Sequence, residues 1–346
     1  MRSEGAKRFT ISVMPGDGVG PEITKALLMV INTVSSREGL DLELKTAEAG
    51  DAALNKYGDA LPKETLDTIV QSDACIKGPV GETAADVIVK LRQHLDLYAN
   101  VRPAKSFPNV PSLKPNVDLV IVRENTEDLY KGLEYELSAG VSLGVRVITH
   151  RASQRVARYA FRLAEGRRRK VTCVHKANVL KVTCGTFAKA CRGVSKEFRD
   201  VEYSEQYVDA CSANLIRAPD AFDVIVTTNL FGDILSDEAA QVVGGLGLAP
   251  AGNIGDSFAI FEPVHGAAFD IAGRGIANPT AILLSASMMF EWLSERHRDK
   301  AALSCGRRIR RGVEAVLSEA KHLTPDLGGR STTLEFAERV CRFAGE

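Results

Sequence analysis

Short apolar, β-branched runs alternate along the chain with longer stretches of helical period. FTISVM is followed by PEITKALLMVINTV, DACIKG by a helix-like stretch over 84–97, and FDVIVTT by ILSDEAAQVVGGL, while VDLVIV and KVTCV add two further strand-like runs. The alternation predicts an α/β fold on a large, mostly buried sheet flanked by helices. The last third, through AILLSASMMFEWLSERH, RRIRRGVEAVLSEA and TLEFAERVCRFAG, is helical in period. No internal repeat or low-complexity tract breaks the pattern.

Two Gly- and Pro-rich segments punctuate it, ANVRPAKSFPNVPSLKPN (99–116) and GGLGLAPAGNIGDS (244–257), and both read as seams between domains. At 346 residues the chain exceeds one ordinary core, given roughly 100 to 200 residues per domain. The pattern alone leaves open whether the seams separate sequential domains or bound an inserted one.

Composition narrows the function. The 44 basic and 44 acidic side chains cancel, so no global field recruits nucleic acid or a membrane, and any anion must be held by a local cluster. MRSEGAKRFT lacks the apolar region of a signal peptide, and no apolar run is long enough to span a bilayer, which makes a cytoplasmic location the default expectation. Seven scattered cysteines without a CxxC pair are expected to be reduced and mostly buried, not zinc ligands.

Several stretches carry candidate chemistry. MPGDGVGPEI (14–23) follows a strand and opens a helix, but its G-x-G-x-G spacing is not the dinucleotide fingerprint and no Walker lysine follows, so it reads as a tight strand-to-helix turn. Arg92 has Asp96 one turn on as an ordinary helical partner. Arg102 precedes a proline and is expected to be extended at a chain reversal. Arg123 ends the run LVIV and Lys176 follows KVTCV, both at carboxyl ends of strands, where open α/β sheets bind ligands. Asp233 and Asp237, four apart on one helix, either compensate its dipole or ligate a hard divalent cation, with Asp209 as a third oxygen donor. FEPVHGAAFDIAGRGIANPTA (261–281), with Glu262, His265 and Asp270, is either a packed connection or a small-residue loop beside a flat ligand whose ribose an acid can bind.

Taken together, GDGVGPEI, LRQHLDLYANVRPAKS, VIVRENTEDLY, HKANVL, FDVIVTTNLFGDILSDEAA, GNIGD, FEPVHGAAFDIAGRGIANPTA and TPDLGG resemble the β-decarboxylating dehydrogenase family. Its members act on isopropylmalate, isocitrate, homoisocitrate or tartrate, and the motifs run in the family's order from residue 16 to 329. The resemblance implies a mixed sheet and two domains, the first formed by 1–99 with 246–346 and the second, 100–245, inserted and carrying a dimer interface. It implies a homodimer, or a tetramer, with Lys176 and Asp209 contributed across that interface. It implies Mg²⁺ or Mn²⁺ on Asp209, Asp233 and Asp237, Tyr130 as the acid, and Lys176, with cations nearby, as the base. Arg92, Arg102 and Arg123 match the carboxylate clamp. His265, Gly266, Ala267, Asp270, Ile271 and Asn278 match the loop around the adenosine; the acid at 270 and the absence of a cation at 271 favour NAD over NADP.

Family members differ in the group on C3 of the acid, which meets the helix just before the first clamp arginine. Ile88 and Val89 share the face of Arg92 and offer neither hydroxyl nor cation. An unpaired third carboxylate there would cost several kcal/mol, whereas an isopropyl group gains roughly 2 kcal/mol. The expected reaction is therefore oxidative decarboxylation of 3-isopropylmalate, with homoisocitrate or isocitrate as the alternative substrate. GETAADVIVKLRQ and HGAAFDIAG, with Phe269 for the usual proline, most resemble the archaeal isopropylmalate branch. Ala85 stands where bacterial members carry a glutamate near the nicotinamide, Glu82 is its nearest substitute, and Asp86 brings an acid toward an acidic substrate. A non-catalytic regulatory subunit is the second reading, but such a subunit would be expected to lose Tyr130, Lys176 or the acid pair.

Overall fold

The computed structural model describes residues 8–346; the polar segment 1–7, part of the stretch read as lacking a leader, lies outside the described residues. The chain begins β1 (Phe9–Met14), α1 (Gly20–Glu38), β2 (Leu42–Thr46), α2 (Asp51–Tyr57), α3 (Lys63–Val70), β3 (Ala74–Lys77) and α4 (Asp86–His94). It continues β4 (Ala99–Lys105), β5 (Asp118–Glu124), β6 (Glu134–Ser138), β7 (Val141–Gly144), α5 (His150–Glu165), β8 (Lys170–His175), α6 (Thr183–Ser195), β9 (Glu202–Tyr207) and α7 (Val208–Arg217). It ends β10 (Val224–Thr227), α8 (Asn229–Val243), β11 (Pro250–Ile254), β12 (Ala259–Pro263), α9 (Thr280–His297), α10 (Lys300–Glu319) and α11 (Thr333–Gly345).

Among the described residues, ten strands form one mixed sheet in the order β2-β1-β3-β12-β11-β4-β5-β10-β8-β9, as the α/β alternation predicts. The strands on one side of the β11/β4 neighbours come from residues 9–77 and 259–263, and those on the other from 118–227. Pairing is parallel out toward both edges and antiparallel across β12-β11-β4-β5. Three successive antiparallel pairings make β5, β10, β8 and β9 run opposite to β12, β3, β1 and β2. The sheet therefore has no single carboxyl edge.

The two segments read as seams each contribute a central strand, β4 from the first and β11 from the second. Pro, Gly and Asn depress β-propensity, but β4 and β11 are paired on both sides, which outweighs it. Pro103 is tolerated because the β4–β11 ladder stops at Val101, leaving it paired with β5 alone. Arg102 is thus inside a strand and not at a chain reversal.

Both faces of the sheet are covered. Alternation along β5 shows the division, with Val120 and Val122 in the large core under α1, α5, α6 and α9 to α11, and Leu119 and Ile121 in a smaller cluster under α7 and α8. A third cluster, with Met14, Cys75 and Ile260 from the sheet and Val87 and Leu91 from α4, occupies the same face as the second. Burial of Val87 and Leu91 explains why α4 tolerates its β-branched run. All seven cysteines are free and six are buried, as expected. Among the described residues no helix is long and apolar enough to cross a membrane.

Candidate active site

Between the two smaller apolar clusters, where α4 and α8 flank the sheet centre, a row of polar residues replaces the aliphatic ones. Register sets Asn253 on β11 opposite Asn100 on β4, and Asn100 opposite Arg123 on β5, with Arg102 two residues further along the same face of β4. All four are buried. Because β5 runs opposite to β12, Arg123 and Glu262 come from the ends of oppositely directed strands and line one cavity over the middle of the face.

Asn253 organises this row. Its Oδ1 accepts from Arg92 Nε (2.8 Å), Asn100 Nδ2 (2.7 Å) and Asn125 Nδ2 (3.0 Å), and its Nδ2 donates to Glu262 Oε1 (2.7 Å) and Ile260 O (3.3 Å). Glu262 also receives Lys77 Nζ at 2.7 Å and Arg92 Nη2 at 3.3 Å. Burial alone would raise the Glu262 carboxyl, but Lys77 and Arg92 hold it down at about 2. Burial lowers Arg92 to about 10, against the attraction of Glu262. The expected Arg92–Asp96 pair does not form: Asp96 takes a two-pronged bond from Arg155 on α5 instead (3.0 and 2.7 Å).

Arg102 extends the network. Its Nε donates to Asn100 Oδ1 (2.8 Å), its Nη1 donates to Ser236 Oγ (2.7 Å) and Asp237 Oδ1 (3.2 Å), and the same Nη1 forms an ion pair with Asp233 Oδ1 at 3.2 Å. Both acids therefore face one side of α8, as their spacing predicts. Asp233 is also bonded by Arg123 Nη1 and by the Tyr130 hydroxyl. Burial would raise the Asp233 carboxyl, yet Arg123 and Arg102 keep it below the usual range; burial pushes Asp237 up, with Asp233 repelling it and Arg102 opposing. Tyr130 is raised by burial and by its bond to Asp233, despite Arg123, whose guanidinium lies 4.8 Å from its ring centre. A Cβ at Gly232 would lie 2.6 Å from Arg123 Cβ, so glycine there is what lets α8 settle over the arginine.

RENTEDLY owes its shape to buried acids. Glu124 caps the N–H groups of Thr126 and Glu127, and Asp128 is gripped by Arg146 through Nε (2.6 Å) and Nη2 (3.0 Å). Those bonds place Tyr130 under α8.

A cavity of about 290 Å³ opens on this network. Ile88 and Val89 line it with Val80, Pro79 and Ala85, and Arg92, Arg102, Arg123, Tyr130 and Asp233 line it too. Lys77, Gly81, Glu82 and the run Glu262 to Gly266 form the rest of the lining. Asp86 does not line it, being exposed and paired with Lys90 at 2.6 Å. One Arg123 nitrogen, Nη2, is buried without a partner among the described residues, a donor set for an incoming acceptor.

Other expected residues lie elsewhere. Lys176 Nζ bonds Asp209 Oδ1 at 2.5 Å, and this pair is not part of the cavity lining; the neighbour of Lys176 is an acid, where cations were expected. Among the described residues Asp209 does not join Asp233 and Asp237 in one metal-sized cluster. Past Gly266 the loop leaves the cavity. Ala267 is buried and takes the Val19 N–H (2.8 Å), Asp270 is exposed, Ile271 is half-buried, and Asn278 is buried with its Nδ2 on Asp326 (3.0 Å). His265 is half-buried at the cavity wall rather than in the core, and burial lowers it while its bond to Gly266 O opposes.

Lys77, Asn100 and Asn253 were not singled out from sequence. Their signal is a polar residue inside an otherwise strand-like run, as in ACIK and GNI.

A profile described as isocitrate/isopropylmalate dehydrogenase matches residues 10–340. The 3-isopropylmalate dehydrogenase of Sulfurisphaera tokodaii is 55% identical over 332 residues, 96% of this chain and 98% of that protein. The isocitrate/homoisocitrate dehydrogenase of Thermus thermophilus is 48% identical over 339 residues, 96% of this chain and 97% of that protein. The crystal structure of isocitrate dehydrogenase from Methylococcus capsulatus matches with a TM-score of 0.91 at 44% identity, covering 98% of this chain and all of that one (100%).

Two outcomes test the network. Asn253→Ala leaves three buried donors without their acceptor and is expected to cost at least about 3 kcal/mol in urea unfolding; a loss under about 1 kcal/mol would show that the bonds are dispensable. Glu262, held at about 2 against an ordinary 4.5, contributes stability that is complete above pH 4.5 and lost as pH falls toward 2. Glu262→Gln should flatten the stability profile across that window, measured by guanidinium unfolding at stepped pH.

Proposed function

Because the chain belongs to the isocitrate/isopropylmalate dehydrogenase family, we propose that it oxidises and decarboxylates (2R,3S)-3-isopropylmalate to 2-oxo-4-methylpentanoate and CO₂. It does so with NAD and Mg²⁺ or Mn²⁺, as a cytoplasmic enzyme of leucine biosynthesis. The observation that carries the substrate is the wall of the cavity: Val80, Ala85, Ile88 and Val89 stand beside three arginines. The lysine in the same lining, Lys77, is committed to Glu262. A third substrate carboxylate against that wall would be desolvated without a partner, at several kcal/mol. An isopropyl group gains roughly 2 kcal/mol there.

Arg92, Arg102 and Arg123 bind the two carboxylates, with the free Nη2 of Arg123 as one donor. Lys176 takes the proton of the C2 hydroxyl. After the C3 carboxylate has left as CO₂, Tyr130 delivers a proton to C3, and its raised pKa keeps it protonated for that task. Asp233 and Asp237 form a hard-oxygen pair suited to Mg²⁺ or Mn²⁺, and the repulsion between them favours a cation. When bound, that cation supplies Lewis-acid polarisation of the C2 oxygen. NAD supplies the hydride acceptor, with its adenosine on His265, Gly266, Ala267, Ile271 and Asn278 and its ribose hydroxyls on Asp270, whose charge disfavours a 2′-phosphate.

Residues 1–99 and 246–346 form the first domain and 100–245 the inserted one, following the partition of the sheet. The inserted part carries the dimer surface. Leu137 on the β6–β7 hairpin is 68% exposed, and Val179 and Val182, beside Lys176, are 65% and 80% exposed. Apolar exposure on that scale marks an association face. In a two-fold dimer through it, Lys176 and Asp209 of each subunit serve the cavity of the other.

Steady-state turnover with isopropylmalate, homoisocitrate and isocitrate, Mg²⁺ present and then chelated, tests the substrate. Isopropylmalate should lead in kcat/KM by at least about a hundredfold, the equivalent of some 3 kcal/mol; parity with either tricarboxylate rejects the assignment. Subunit mixing tests the shared site. Lys176→Ala and Tyr130→Phe are each expected to be inactive, while their exchanged mixture should regain about a quarter of the wild-type rate, since half of the dimers hold one complete site. No recovery would place Lys176 in its own subunit's site.

A further inference from the structure

The motif GDGVGPEI finds no part in the reaction just described, yet both of its carboxylates are fully engaged. Asp17 accepts the N–H groups of Asp51 (2.8 Å), Ala52 (3.0 Å) and Gly81 (2.8 Å), which ties down the 79–85 wall of the cavity. Glu22, in the first turn of α1, does the same for another loop. Its Oε2 accepts from Gly273 N (3.1 Å) and Gly275 N (3.3 Å), and its Oε1 from Ala277 N (3.0 Å).

The backbone of AGRGIA makes this convergence possible. Gly273 and Gly275 have φ of +76° and +66°, left-handed values that turn alternate amides to one side. Three backbone amides then meet two carboxylate oxygens, and the Thr333 hydroxyl reaches Oε1 as a fourth donor at 3.4 Å. Thr333 at the start of α11 adds its N–H to Gly275 O (2.9 Å) and its hydroxyl to Ala277 O (2.7 Å). The far end of the loop is held by Asn278 on Asp326 and the near end by Val19 on Ala267. Glu22 gathers the amides of the middle of the loop from beneath.

We propose that Glu22 is a positioning residue for NAD: it sets the shape of the 267–278 loop against which the adenosine lies. The proposal rests on the reading that this loop carries the cofactor. It makes a demand that a purely structural carboxylate would not, since weakening should fall on NAD and spare the acid substrate, whose clamp is on other elements. Glutamine keeps one acceptor oxygen but turns an NH₂ toward N–H donors, so Glu22→Gln should be intermediate and Glu22→Ala complete.

Amide hydrogen exchange on the full-length protein without NAD, with NAD titration and steady-state kinetics beside it, separates the possibilities. In Glu22→Ala, exchange over 272–278 should quicken at least about tenfold and KM for NAD rise about tenfold, with kcat and KM for the acid within about twofold. Glu22→Gln should show the same pattern at smaller amplitude and serves if the alanine variant fails to fold. Unchanged exchange in that loop overturns the anchoring role of Glu22. Faster exchange with unaltered NAD affinity instead overturns the placement of NAD on the loop. Equal losses in kcat and both KM values reduce Glu22 to a structural residue and overturn the proposal.

Discussion

The side-chain amide of Asn253 makes five hydrogen bonds with no exposure to water, and the geometry of the cavity follows from that constraint. Its partners come from α4, β4, the turn after β5, and β12, so four separate stretches of chain are fixed by one group. A buried polar group without a partner is costly, and both polar atoms of the Asn253 side chain are paired. A one-residue slip of β11 would turn Asn253 to the other face of the sheet and strand three donors, so the register at the middle of the sheet is strongly specified. Arg92 and Arg102 inherit their orientation from it, the first directly and the second through Asn100.

The same constraint explains why so many cations sit together without dispersing. Arg102 and Arg123 share Asp233, Arg102 also reaches Asp237, and Arg92 and Lys77 share Glu262. Each acid is in turn held down by the cations around it, except Asp237, where burial and Asp233 prevail. Half-exposed Asp237 is thus the carboxylate least satisfied by the protein itself, and it lies beside the better-held Asp233. In the proposed reaction the substrate carboxylates and the two acids would draw on the same guanidiniums, Arg102 and Arg123.

The parallel strands were legible because their apolar runs are continuous, and the helices because their periods are long. The centre of the sheet was not. β4 and β11 carry Arg, Asn, Gly and Pro where a buried strand ordinarily carries aliphatic residues, and such residues read as a seam. They are strands because they are paired on both sides, and they carry polar residues because the buried polar network is built on them. Arg123, Tyr130, Asp233, Ile88 and Val89 were found by motif and spacing and do converge on one cavity. Asp96 misled as a helical neighbour of Arg92, because sequence spacing cannot show that Arg155, 59 residues on, reaches it better. Lys176 and Asp209 pair with each other outside the cavity lining, a placement that motif and spacing did not show.

The glycine-rich turn after β1 works as the converse of a phosphate-binding turn. In a phosphate site, backbone N–H groups converge on an anion brought by the ligand. Here they converge on anions the protein supplies, Asp17 and Glu22, and each carboxylate takes three. The donors that a flexible, small-residue loop would otherwise offer to water are spent within the fold. Such a loop keeps the close backbone approach that a flat ligand needs, while part of the ordering cost that binding would incur has been met during folding. That is why a motif without a catalytic group can still shape its surroundings: it holds in place the 79–85 wall of the cavity and, away from it, the 267–278 loop.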